Sequence, residues 1–215
     1  MRKQEKRNFK ILDLLKEHIR KNIKEYLSVC IVFLIGTIIG VMFINNVDES
    51  QKTQITQYLG NFTEALNTDY KIDVGSLLKN SIVSNLILAI SLWFIGSTVI
   101  GIPIVYIIIA LRGFSLGYTI SSIMITYTMW KGILFSMCSL LLQNIILIPC
   151  IIALAVSGIK LYKAIIKDKR RENIKIQILR HTIFSSFIAI LMVGASFVEV
   201  YGSSNIVSLC IKAFV

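Results

Sequence analysis

Apolar residues fill long blocks of this chain, and short clusters of charge separate the blocks. Between Asn80 and Ile159 only Arg112 and Lys131 are charged. A soluble domain cannot carry so much uncharged, Ile- and Leu-rich sequence, because its surface needs ionised groups. A lipid bilayer accommodates it. A helix needs roughly 20 apolar residues to cross a hydrocarbon core of about 30 Å. On that measure the uncharged runs divide into five transmembrane helices at 26–47, 81–111, 113–130, 132–159 and 181–201. The expected fold is all-α, one integral membrane domain over 1–215, with a basic cytoplasmic segment at 1–25 and an outer loop at 48–80.

The outer loop has its own pattern. Ile55, Tyr58, Leu59, Phe62 and Leu66 recur at i, i+3, i+4, i+7 and i+11, which predicts one amphipathic helix lying on the outer leaflet, covering the bundle or docking a partner. Residues 9–24 repeat the motif with cations around it, Leu12, Leu15, Ile19 and Ile23 among Lys16, Arg20, Lys21 and Lys24. That segment suits the anionic inner leaflet or a cytoplasmic extension of the first span. The first span itself reads as an uncleaved helix. Its charged lead-in is too long, and its apolar stretch exceeds the ~7–15 residues of a signal peptide.

Within the spans a few residues break the apolar monotony. Gly36 and Gly40 are four apart, as are Gly113 and Gly117, a face extended by Ser121. Such spacing lets a neighbouring helix, or a second copy of the chain, approach closely. Pro103 lacks an N–H, so the second span is expected to kink near Gly101-Ile102-Pro103. Arg112-Gly113 is expected to end that span at the cytoplasmic face, since a cation left inside hydrocarbon is costly; a break at Gly101–Pro103, which would leave Arg112 within the membrane, is the alternative. Trp130 and Lys131 mark the outer turn. Gln143 and Asn144 fall at mid-span, where amides must find partners in neighbouring helices, and Pro149 bends the helix beyond them. Asn80 and Asn85 read as interfacial caps.

The formal net charge of +11 invites a nucleic-acid reading, but its distribution removes it. Arg2–Glu25 carries 9 Lys/Arg against 4 acids, and Lys160–Arg180 carries 8 against 2. Val47–Lys79 carries 3 against 5. This is the positive-inside asymmetry of a multi-pass membrane protein, with the N-terminus cytoplasmic and the C-terminus outside. The four cysteines have no Cys-x-x-Cys spacing and read as small apolar fillers.

No His-Glu-x-x-His, Gly-x-Ser-x-Gly or Walker sequence is present, and the acids lie in loops apart from Glu199. His18 and His181 sit at cytoplasmic helix ends, away from any acid cluster. The expectation is a protein that is not an enzyme and has no cofactor or metal. A transporter or channel subunit, with a polar path lined near Gln143 and Asn144, is the alternative class.

Four elements in order resemble the core of the stage II sporulation protein M family. They are Gly101-Ile102-Pro103, Leu111-Arg112-Gly113-Phe114-Ser115-Leu116-Gly117-Tyr118, Met129-Trp130-Lys131-Gly132, and Gln143-Asn144 with Ile148-Pro149. The resemblance runs over about 80–158, and Leu142 departs from it where the family often has proline. It implies a scaffold of the mother-cell septal membrane during endospore engulfment. That scaffold anchors the peptidoglycan-degrading stage II sporulation proteins D and P, which supply the chemistry.

Overall fold

The structure, a computed structural model, describes residues 19–20, 22–67, 74–98, 101–127, 129–137, 140, 142–167 and 171–203, with the side chains of 62–67, 129, 142–143, 167, 171–173 and 203 excepted. Among the described residues seven α-helices follow in chain order: α1 (Ile23–Asn45), α2 (Glu49–Asn67), α3 (Val74–Gly96), α4 (Gly101–Thr126), α5 (Met129–Ser136), α6 (Leu142–Lys167) and α7 (Arg171–Phe197). A π-helical turn, Val198–Ser203, extends α7. Five of these helices are long and apolar enough to cross a membrane. The basic segment at 9–24 falls largely outside the described residues.

The largest departure from expectation is where the second span ends. α3 stops at Gly96, and α4 then runs unbroken for 26 residues through Arg112 and Gly113. Local chemistry explains the stop. The Ser97 hydroxyl donates to the Trp93 carbonyl (2.8 Å) and the Thr98 hydroxyl to the Ile95 carbonyl (2.8 Å), occupying acceptors that a continuing helix would have used. Gly101 then permits a tight reversal, because a Cβ there would lie 1.8 Å from the Ile95 carbonyl oxygen. Pro103 follows in the first turn of α4, where a helix has no use for its missing N–H. It starts a helix rather than kinking one.

The described residues of the fourth span lie largely in α5 and α6. α5 doubles back along the end of α4, with Gly132 against the backbone of Met124 and the rings of Tyr127 and Phe135 5.5 Å apart. After π-type turns at 137 and 140, α6 runs on through Pro149 to Lys167.

α1 and α4 make the most extensive helix pair in the fold. A Cβ on Gly36 would meet the Ala110 carbonyl oxygen at 2.2 Å, and one on Gly40 would meet that of Phe114 at 2.2 Å. Reciprocally, Gly113 faces the Phe33 oxygen at 2.2 Å and Gly117 that of Thr37 at 2.1 Å. Real Cβ contacts do not come under 3.0 Å, so all four positions need glycine. The paired numbers rise together, so the two helices run parallel. Both glycine faces, which the spacing alone would have offered to a second copy, are spent on each other.

The core lies where α3, α4, α6 and α7 meet, around Leu92, Ile109, Leu147, Leu154 and Met192. Here helices are joined by side chains. Trp93 Nε1 donates to Thr182 Oγ1 (3.2 Å), Asn85 Nδ2 to Ser196 Oγ (2.8 Å), and the Ser81 hydroxyl to the Glu199 carboxylate. Ser157 Oγ and His181 Nδ1 join α6 to α7 at 2.8 Å. Asn85 is therefore no interfacial cap, being 3% exposed and bonded across the bundle. Gly96 and Gly158 let α3 and α6 touch backbone to backbone.

At the other end of the bundle α2 is the expected amphipathic helix. Leu59 packs on the Ile123–Phe135 cluster, and Tyr58 points away at 74% exposed. The side chains of Phe62 and Leu66 lie outside the described residues.

Candidate functional site

Arg112 lies midway along α4 and is partly buried. At 1.5 Å per residue it is about 16 Å along α4 from Gly101, close to half the ~30 Å depth of a hydrocarbon core. The expectation that it marks the cytoplasmic face weighed the cost of burying a lone cation but lacked its surroundings. On α4, Ser115 and Thr119 follow Arg112 on the same face, three and seven residues on. Asn144 faces them from the first turn of α6. Together with Phe33 they line a crevice of about 150 Å³.

The polar groups of this crevice divide into donors and acceptors. The Ser115 hydroxyl donates to the Leu111 carbonyl (3.0 Å) and the Thr119 hydroxyl to the Ser115 carbonyl (2.8 Å). One N–H of Asn144 Nδ2 donates to the Leu140 carbonyl (2.8 Å). The side-chain oxygens of all three are left as acceptors, Asn144 keeps a second N–H, and the guanidinium brings up to five donors. The Glu199 carboxylate lies within coulombic reach of Arg112. Among the described residues no side chain forms a hydrogen bond or ion pair with the guanidinium.

Glu199 belongs to the π-helical turn, and residues 137 and 140, between α5 and α6, are π-helical as well. Irregular backbone at membrane depth persists only where protein buries it or a polar cavity lines it, and π-turns concentrate at functional places. An ionisable residue at that depth marks a functional site by default.

Beside the crevice lies a second, apolar space of about 440 Å³. Leu116, Leu140, Asn144 and Ile148 line both, and Ile145 and Pro149 lie along the apolar groove.

Of the residues singled out from sequence, Arg112, Asn144 and Pro149 converge here. Gly101 and Pro103 build the α3–α4 reversal, and Gly113 and Gly117 build the contact with α1. Trp130, 77% exposed, lies at the α4–α5 turn. The side chain of Gln143 is outside the described residues. Asn144 bonds within its own chain segment rather than across to another helix. Ser115 and Thr119 were readable as a face shared with Arg112, whereas Ser81 and Glu199, 118 residues apart, carry no local signal of their pairing.

A family model described as Stage II sporulation protein M matches residues 29–204, from within α1 through the π-helical turn. No curated protein and no solved structure matches the chain.

Proposed function

Because the chain belongs to the stage II sporulation protein M family, we propose that it is a non-catalytic scaffold for endospore engulfment, holding the peptidoglycan-degrading stage II sporulation proteins D and P at the mother-cell septal membrane. Membership makes it a sporulation-related membrane protein. The anchoring role, the two partners and the septal location are the proposed part. The observation that carries the reading is the extent of the family match, which takes in the Arg112 crevice and all five spans at least in part.

The fold supports such a role physically. A helix pair locked backbone to backbone is a stiff mount, because neither helix can slide without lifting four carbonyl oxygens off four glycines. The end of the bundle bearing α2 and the α4–α5 turn presents Tyr58 and Trp130 as exposed aromatics, the residue type that anchors interfaces. In the proposed orientation, with the N-terminus cytoplasmic, that end faces outward, where the partners act.

The test is recovery of the tagged chain from sporulating cells, with Tyr58→Cys reporting sidedness by labelling with a membrane-impermeant thiol reagent. The expected result is labelling from outside and co-purification of the D and P proteins. A correctly folded chain that brings down neither protein would refute the scaffold reading, and labelling from the cytoplasmic side only would refute the orientation.

One observation favours a second reading. Arg112, Ser115, Thr119 and Asn144 line a polar crevice at mid-depth, as a transporter or channel subunit requires. Ion or solute flux into liposomes holding the purified chain would support this reading over a static scaffold.

A further inference from the structure

The crevice and the apolar groove share four lining residues, so they lie side by side against the same side chains. We propose that together they form a binding site for a long-chain phosphate monoester, with its head against Arg112 and its single hydrocarbon chain in the groove. The inference is independent of the scaffold reading.

The head is chosen by the hydrogen-bonding pattern. Arg112 supplies the only cationic donor among the lining residues and suits a bidentate oxyanion. Ser115 and Thr119 have committed their hydroxyl protons, and Asn144 one of its two N–H groups, to the carbonyls of Leu111, Ser115 and Leu140, which leaves their side-chain oxygens as acceptors. A ligand that satisfies all four must bring both an anionic oxygen and an O–H. A singly charged phosphate monoester carries both on one phosphorus. A carboxylate carries the anion without the donor, and an alcohol the donor without the anion. A head bound as the monoanion keeps its P–O–H.

Size restricts the rest of the molecule. At about 150 Å³ the crevice is much the smaller of the two spaces and suits a compact head. A single groove of about 440 Å³, lined by side chains such as Leu116, Ile145 and Ile148, provides for one chain rather than two. A transmembrane helix, about 10–12 Å across with its side chains, would lie over the groove without reaching the guanidinium.

The experiment uses the full chain in nanodiscs of phosphatidylcholine, titrated with hexadecyl phosphate and read by native mass spectrometry. Palmitate, hexadecanol, octyl phosphate and dioleoyl phosphatidylglycerol are the comparison arms. Saturable binding of one hexadecyl phosphate is expected, about tenfold or more tighter than any comparison ligand. Arg112→Gln should weaken it by roughly tenfold to a hundredfold, the worth of a charge-assisted bond. Ile145→Trp, on the exposed lip of the groove, should abolish the advantage of hexadecyl over octyl phosphate while leaving octyl phosphate binding intact. Palmitate or phosphatidylglycerol binding as tightly as hexadecyl phosphate would overturn the proposal. So would unaltered binding by a folded Arg112→Gln chain. Should that variant not fold, the ligand series on the unmodified chain and on Ile145→Trp still decides the matter.

Discussion

Along α1 and α4 the contacts are backbone on backbone, four glycines against four carbonyl oxygens, and the two helices run parallel. Along α3 and α7 they are side chain on side chain, Ser81 to Glu199, Asn85 to Ser196 and Trp93 to Thr182, and the helices run antiparallel. Both pairs face the same difficulty. Lipid tails are as apolar as leucine, so no hydrophobic drive brings helices together and close packing or hydrogen bonding has to. The difference lies in what each solution tolerates. The glycine pair derives its contact from the absence of atoms, so any added atom disrupts it. The polar pair distributes its contact over separate bonds, each modest, so one loss leaves the others in place.

That contrast breaks most sharply at the glycines. Gly117→Ala places a methyl group where the Thr37 carbonyl oxygen already sits, so α1 and α4 must separate. The expected loss is ~1–3 kcal/mol for alanine and more for Gly117→Val, read as unfolding in detergent or by steric trapping in bilayers. Wild-type stability in both variants would show that the pair is not locked as described. Gly194, with nothing within 4 Å of a built Cβ, is the control and should accept alanine at no more than its backbone effect.

Smaller effects are expected from the polar pair. A double-mutant cycle with Asn85→Ala and Ser196→Ala should give a coupling energy of ~0.6–1.7 kcal/mol, the range for such bonds between membrane helices. Coupling near zero would assign Asn85 to packing alone and blur the comparison. Smallest of all is Lys163–Glu25, 2.7 Å apart at the charged end of α6 and α1 with the lysine half exposed. Its removal by Lys163→Ala should cost under about 1 kcal/mol and lose that small effect in high salt. A salt-independent loss above that would make the pair a structural clamp.

The five spans and the amphipathic α2 were legible because each rests on a local property, length, hydropathy or the 3.6-residue period. The resemblance read from residues 80–158 extends to a family match over 29–204. The helix boundaries near Arg112 were not legible, and the reason is specific. The cost of a lone cation in hydrocarbon argued for ending the helix there, but Glu199 is brought near it only by the last span, 87 positions later. The hydroxyl bonds that stop α3 at Gly96 are local, yet Ser97 and Thr98 are too common in spans to signal a break. The glycine faces were visible as faces, whereas their pairing with each other depends on the parallel fold. Asn85 shows the same limit, since its partner lies 111 residues downstream.

This separation has a consequence for biogenesis. At a synthesis rate of ~5–20 residues per second, Ser196 emerges roughly 6–22 s after Asn85 has entered the bilayer. During that wait the glycine faces of α1 and α4 meet, needing nothing that arrives later, while the Asn85 amide stands among lipid tails without its final acceptor. The nascent chain is thus half assembled and half in need of shelter. The emergence of α7 is what releases it from whatever holds it.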